Sequence, residues 1–263
     1  MQNKPTFLGQ SRPLLCCMVI TETSDEAITV ARNAAYDGAD AYGYQVCRMD
    51  PKYRTEEEIK RVLRYMGNRP VYVTNYRHGF NKDKSDDAIG DELVDLARWG
   101  ATLCDVMGDM YARHPLELTE DPVAIDKQRR LIDRIHEAGG EVLMSSHVLK
   151  YCPAEEVLRI AYAQQQRGAD IVKIVTAANS QAEEMENLRI TTLLKKELKV
   201  PFLFLSGGTH NRFHRMIGPA LGCVMGLCVQ QYDARASKDQ PLLRAARQVL
   251  DNFDFMPRER FGL

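Results

Sequence analysis

Residues 168–175 read GADIVKIV: a glycine, an alanine and an aspartate, then five positions of which four are Ile or Val and the fifth, Lys173, is charged. β-Branched residues at that density predict a strand. The glycine stands where a preceding helix would end in a left-handed cap, a conformation that costs glycine least. The same punctuation recurs at Gly38-Ala39-Asp40 before AYGYQVC and at Gly100-Ala101-Thr102 before TLCDVM.

Working outward, strand-like runs begin near Leu14, Ala41, Pro70, Thr102, Glu141, Asp170, Pro201 and Gly222, eight in all. Helical spacing fills the gaps. Ile59, Val62, Leu63 and Met66 follow a Thr55/Glu58 capping box, Ala124, Gln128, Leu131, Ile135 and Ala138 mark one face of another helix, and Leu242, Leu243, Ala246, Val249 and Leu250 mark a third. The runs are apolar throughout instead of alternating, as in a parallel sheet covered by helices. Eight strand–helix units with no linker or low-complexity tract predict a single (β/α)8 TIM barrel, an α/β fold occupying residues 1–263 as one domain. A doubly wound open sheet is the rival, but no G-x-G-x-x-G follows the first strand.

With 35 Lys+Arg against 36 Asp+Glu, the net charge of −1 provides no field to draw the chain to nucleic acid or an anionic membrane. A small anionic ligand would need a local cluster. The seven cysteines form no C-x-x-C pair, and Cys16-Cys17 in one strand face opposite ways, so reduced core thiols and a cytoplasmic location are expected. No stretch approaches the length of an apolar membrane span.

Active sites of such barrels lie at the C-terminal ends of the strands. Arg48 ends the second run, Arg77 the third and His147 the fifth, Lys173 lies within the sixth, and Arg215 follows the seventh. A lysine among Ile171, Val172, Ile174 and Val175 is desolvated, which frees the amine as a nucleophile; a salt-bridged core lysine is the competing reading. A Schiff base needs a second group to move protons, for which histidine titrates in the right range, and arginines suit a carboxylate or phosphate. His210 and His214 have a zinc-like spacing without the glutamate of H-E-x-x-H, so no metal and no cofactor are expected. Gly207-Gly208-Thr209 is a weak phosphate-turn signal.

Together Gly38-Ala39-Asp40 with Arg48-Met49-Asp50, Pro70 through Thr74 with Arg77, Ser146-His147, Gly168 through Ile174, and Arg215 with Gly218-Pro219 and Gly222 resemble type I 3-dehydroquinate dehydratase. The resemblance implies that Lys173 forms an iminium with the substrate ketone and that His147 is general base and acid. It further implies that Arg215 binds a carboxylate, that Arg48 and Arg77 wall the site, and that Gln240 is a lid-loop contact. Dimers are common in that family, so a homodimer is implied, though no interface is legible in the chain. This sequence has Val46 and Met107 where the family has glutamates, and His78-Gly79-Phe80 where it has a glutamate and paired glycines. The group that orients the histidine is therefore left open. The alternatives are a class I Schiff-base aldolase of phosphorylated sugars, favoured by Leu205-Ser206-Gly207-Gly208, and a metabolite-binding barrel without catalysis.

Overall fold

The computed structural model describes residues 5–253. Eight strands, β1 (Leu14–Val19), β2 (Ala41–Gln45), β3 (Val71–Thr74), β4 (Leu103–Met107), β5 (Glu141–His147), β6 (Ile171–Ala177), β7 (Phe202–Gly207) and β8 (Met225–Cys228), each begin within a run named from the sequence, and β5, β6 and β7 continue one or two residues beyond theirs. They alternate with α1 (Ser24–Tyr36), α2 (Glu56–Met66), α3 (Asp86–Trp99), α4 (Pro122–Glu137), α5 (Ala154–Gln166), α6 (Gln181–Glu197), α7 (Arg212–Leu221) and α8 (Leu243–Leu250). All pairings are parallel, in the order β7-β6-β5-β4-β3-β2-β1-β8. At the last seam the Val224 N–H donates to the Phe202 carbonyl at 2.8 Å, so the chain is a nearly closed (β/α)8 barrel.

The recurrent glycines do what their position predicts: Gly38, Gly100 and Gly168 have φ of 91°, 116° and 99°, where a side chain would be strained. Thr55 accepts from the Glu58 N–H, while the Glu58 carboxylate turns to Arg61; the complete reciprocal box is at Thr23 and Glu26 on α1. Strand alternation splits the core. Leu15, Cys17 and Val19 pack outward with α1 and α8, whereas Leu14, Cys16 and Met18 join Tyr72, Leu103 and Leu143 inside the barrel. Gly43 makes room there, because a Cβ would lie 2.2 Å from the Met18 sulfur. All seven cysteines are buried and none is in a disulfide. Among the described residues no helix is long and apolar enough to cross a membrane.

The zinc-like histidine pair diverges. His210 is exposed, but His214 is fully buried against α6, its ring edge on Phe204. Thr191 gives its hydroxyl proton to the Asn187 carbonyl, so His214 Nε2–H must donate to Thr191 at 2.9 Å, and Nδ1 has no partner. Burial, with the Arg215 charge, lowers its pKa from 6.5 to about 3. A proton that the unfolded chain binds below pH 6.5 is refused by the folded chain down to about pH 3, so stability falls with pH through that window. Between pH 6.5 and 5 the group should cost about 2 kcal/mol. Urea unfolding at pH 7 and 5 is expected to show His214→Gln losing much less between the two pH values than the parent. Equal losses would refute this source of acid sensitivity.

Candidate active site

A charged residue on a fully buried strand must find a partner inside the barrel. β5 and β6 pair with Ser145 opposite Lys173, and β4 and β5 with Met107 opposite Ser145. Side chains two apart share a face, so Asp105 points the same way as Met107. The result is a buried quartet. Lys173 Nζ is 3.1 Å from Asp105 Oδ2, 2.9 Å from the Tyr72 hydroxyl and 2.6 Å from that of Tyr76. Both tyrosines donate to Asp105 Oδ2, and Ser145 Oγ donates to Oδ1 at 2.5 Å. Burial opposes ionisation of Asp105, but the Lys173 ammonium outweighs it, with help from His147 and the Ser145 and Tyr72 hydroxyls, and holds the carboxyl below its ordinary value. Burial, reinforced by Asp105, pushes both phenols well above theirs.

Beside the quartet opens a cavity of about 830 Å³, with Tyr76, Met107, Glu117 and His147 in its wall. Lys173 is only 3% exposed and is absent from that wall; Tyr76 stands between. The ring of Tyr76 meets His147 edge-on, with centroids 5.1 Å apart.

His147 closes β5, and its orienting group comes from the β4–α4 loop: Glu117 Oε2 accepts from the His147 backbone N–H at 2.7 Å and pairs with Nδ1 at 2.9 Å. A carboxylate on Nδ1 fixes the proton there and leaves Nε2 with a lone pair, the form a general base requires. No sequence spacing pointed to Glu117. It has φ of 46°, and the other described non-glycine residues with positive φ are Tyr111 in the same loop and Leu149, also in the cavity wall. Backbone strain is thus concentrated around this cavity.

The loop is held down at one carbonyl. Gly108 O accepts from the Thr119 N–H at 3.0 Å, Gln128 Nε2 at 2.9 Å and Arg167 at 2.8 Å. Arg167 also donates to Gln128 Oε1 and the Thr119 carbonyl, and burial lowers its pKa to about 10. Gly108 admits no side chain: a Cβ would be 2.5 Å from the Glu117 carbonyl.

The arginines are dispersed. Arg77 lines the cavity, but its Nε and one terminal nitrogen grip Asp86, both at 2.7 Å, and the other terminal nitrogen meets Asp109 at 2.6 Å. Arg48 belongs to a short 3-10 turn, Val46–Arg48, instead of to β2, and is exposed beside a separate cavity with Gly79, Phe80 and Arg235. Arg215 on α7 donates Nε to the Ser206 carbonyl at 2.6 Å and does not line the main cavity. Gln240, in the β8–α8 loop, is buried with Oε1 unpartnered. The structure therefore brings Lys173, His147 and Arg77 to one region and leaves Arg48, Arg215 and Gln240 outside the cavity wall.

Known proteins agree with this architecture. A 3-dehydroquinate dehydratase of Klebsiella pneumoniae is 27% identical over 226 residues, spanning 82% of this chain and 84% of its own length. One from Syntrophotalea carbinolica is 26% identical over 236 residues, spanning 84% and 86%. The crystal structure of 3-dehydroquinate dehydratase from Geobacillus kaustophilus shares the fold with a TM-score of 0.77 at 16% identity, over 92% of this chain and 91% of that one. Residues 15–254 match the Type I 3-dehydroquinase family, and the chain belongs to it as a divergent member.

Proposed function

We propose that this chain is a Schiff-base hydro-lyase acting on 3-dehydroquinate or a related cyclic hydroxy-keto acid, with Lys173 as the amine and His147 as the group that moves the proton. The observation that carries the reading is a buried lysine whose quartet shares Tyr76 with a cavity walled by a carboxylate-oriented histidine. Formation of the iminium acidifies the adjacent C–H. Nε2 of His147 takes that proton and returns it to the departing β-hydroxyl. By the resemblance already described, Arg215 is the group we would assign to a substrate carboxylate and Gln240 to a lid-loop contact.

Membership of the dehydroquinase family favours this reading over an aldolase. A binding protein without turnover has its own support, because Lys173 is ion-paired and covered. Borohydride treatment with a panel of cyclic hydroxy-keto acids, headed by 3-dehydroquinate, separates them. Covalent mass on Lys173 together with release of dehydrated product is expected. Binding with neither would identify a non-catalytic barrel, and mass on another lysine would overturn the assignment.

A further inference from the structure

Among the described residues, Tyr76 is the one that both hydrogen-bonds the Lys173 amine and lines the cavity. Its partner in the quartet, Tyr72, makes the same two bonds, to Nζ and to Asp105, but is fully buried and outside the cavity wall. Asp105 is fully buried as well. The lysine is thus enclosed by Asp105, Tyr72 and Tyr76, and of the three only Tyr76 lines the cavity.

The chemistry proposed above needs such a group. An ammonium holds three protons and a protonated iminium one, so when nitrogen bonds to the ketone carbon and the carbon–oxygen bond breaks, the other two leave in the water formed. Those protons start on a nitrogen enclosed by the quartet and must reach an oxygen in the cavity. We propose that Tyr76 is a catalytic residue of this protein, carrying protons between Lys173 and the carbinolamine oxygen through its hydroxyl. In each transfer the phenol gives its proton to the ligand oxygen and regains one that originates on Nζ, directly or by way of the Asp105 carboxylate, so no proton is gained or lost overall. Because burial and Asp105 hold the phenol neutral, it keeps a proton to give. His147, whose Nδ1 is held by Glu117, keeps the later proton abstraction from carbon.

The inference rests on the Schiff-base reading, and one experiment keeps their failures apart. The probe is 3-dehydroquinate; the readouts are the rate of borohydride trapping on Lys173 by mass spectrometry and equilibrium binding by calorimetry. Tyr76→Phe is expected to slow trapping by at least tenfold with binding changed less than threefold. Tyr72→Phe, which removes the same bonds away from the cavity, should slow it by threefold at most. Placing 3-fluorotyrosine at position 76, with a more acidic phenol, should shift the alkaline limb of the trapping rate to lower pH, which a packing role would not do. Trapping by Tyr76→Phe at the parent rate, equal losses in both phenylalanine variants, or an unmoved limb would overturn the relay and leave the Schiff base intact. No trapping by the parent protein would overturn the Schiff-base reading itself, and the relay with it.

Discussion

Replacing Lys173 with methionine is expected to abolish borohydride trapping and turnover and also to destabilise the fold by about 3 to 5 kcal/mol, the cost of breaking one half of a buried ion pair. Both effects come from one contact. With the ammonium gone, Asp105 keeps its hydroxyl donors but loses its counter-charge at a site with no exposed side-chain surface. Loss of activity alone would therefore not separate chemistry from folding. The double variant Lys173→Met/Asp105→Asn does, since a neutral amide in place of the carboxylate removes the uncompensated charge. Urea unfolding should show most of the lost stability restored, while trapping and turnover stay absent. Turnover recovered by the double variant would exclude Lys173 from the chemistry.

The second large effect is expected at His147. His147→Ala should still trap ketone on Lys173 but turn over slower by about 10² to 10⁴, the range for loss of a general acid or base. Glu117→Gln tests the orientation. Glutamine can present its amide N–H to Nδ1, which would transfer the imidazole proton to Nε2 and occupy the lone pair that the base requires. A fall in kcat comparable with His147→Ala, with little change in KM, is expected. A change confined to KM would make Glu117 a ligand contact, and normal turnover of His147→Ala would remove that histidine from the mechanism.

Glu117 and Asp105 also show where sequence reasoning stopped. Lys173 stood out as a charge among β-branched residues, and Asp105 in LCDVM offered the same signal on β4, two residues before the Met107 that lies at its level. Two opposite charges, each alone in an apolar strand, satisfy one another, so that pairing was legible in principle. Glu117 was not. It lies in a loop of charged and polar residues, and its aim depends on the backbone strain and carbonyl anchoring that the folded loop supplies. The arginines show the converse: their positions after strands were legible, but whether a guanidinium faces ligand or is consumed by Asp86 and Asp109 depends on residues brought from elsewhere in the chain.

The barrel itself was determined by the sequence, through local and periodic features. Densely apolar runs make covered parallel strands, helical spacing places one face against them, and Gly38, Gly100 and Gly168 mark where helices end. These depend on near neighbours and survive in any reading of the chain. Only the tertiary structure decided the site's electrostatics: that Lys173 is ion-paired and shielded by Tyr76, that His147 has a carboxylate behind it, and that Arg77 is already committed. Each depends on a distance between residues on different strands and loops, and electrostatic and hydrogen-bond energies change steeply with such distances, whereas hydrophobic periodicity does not.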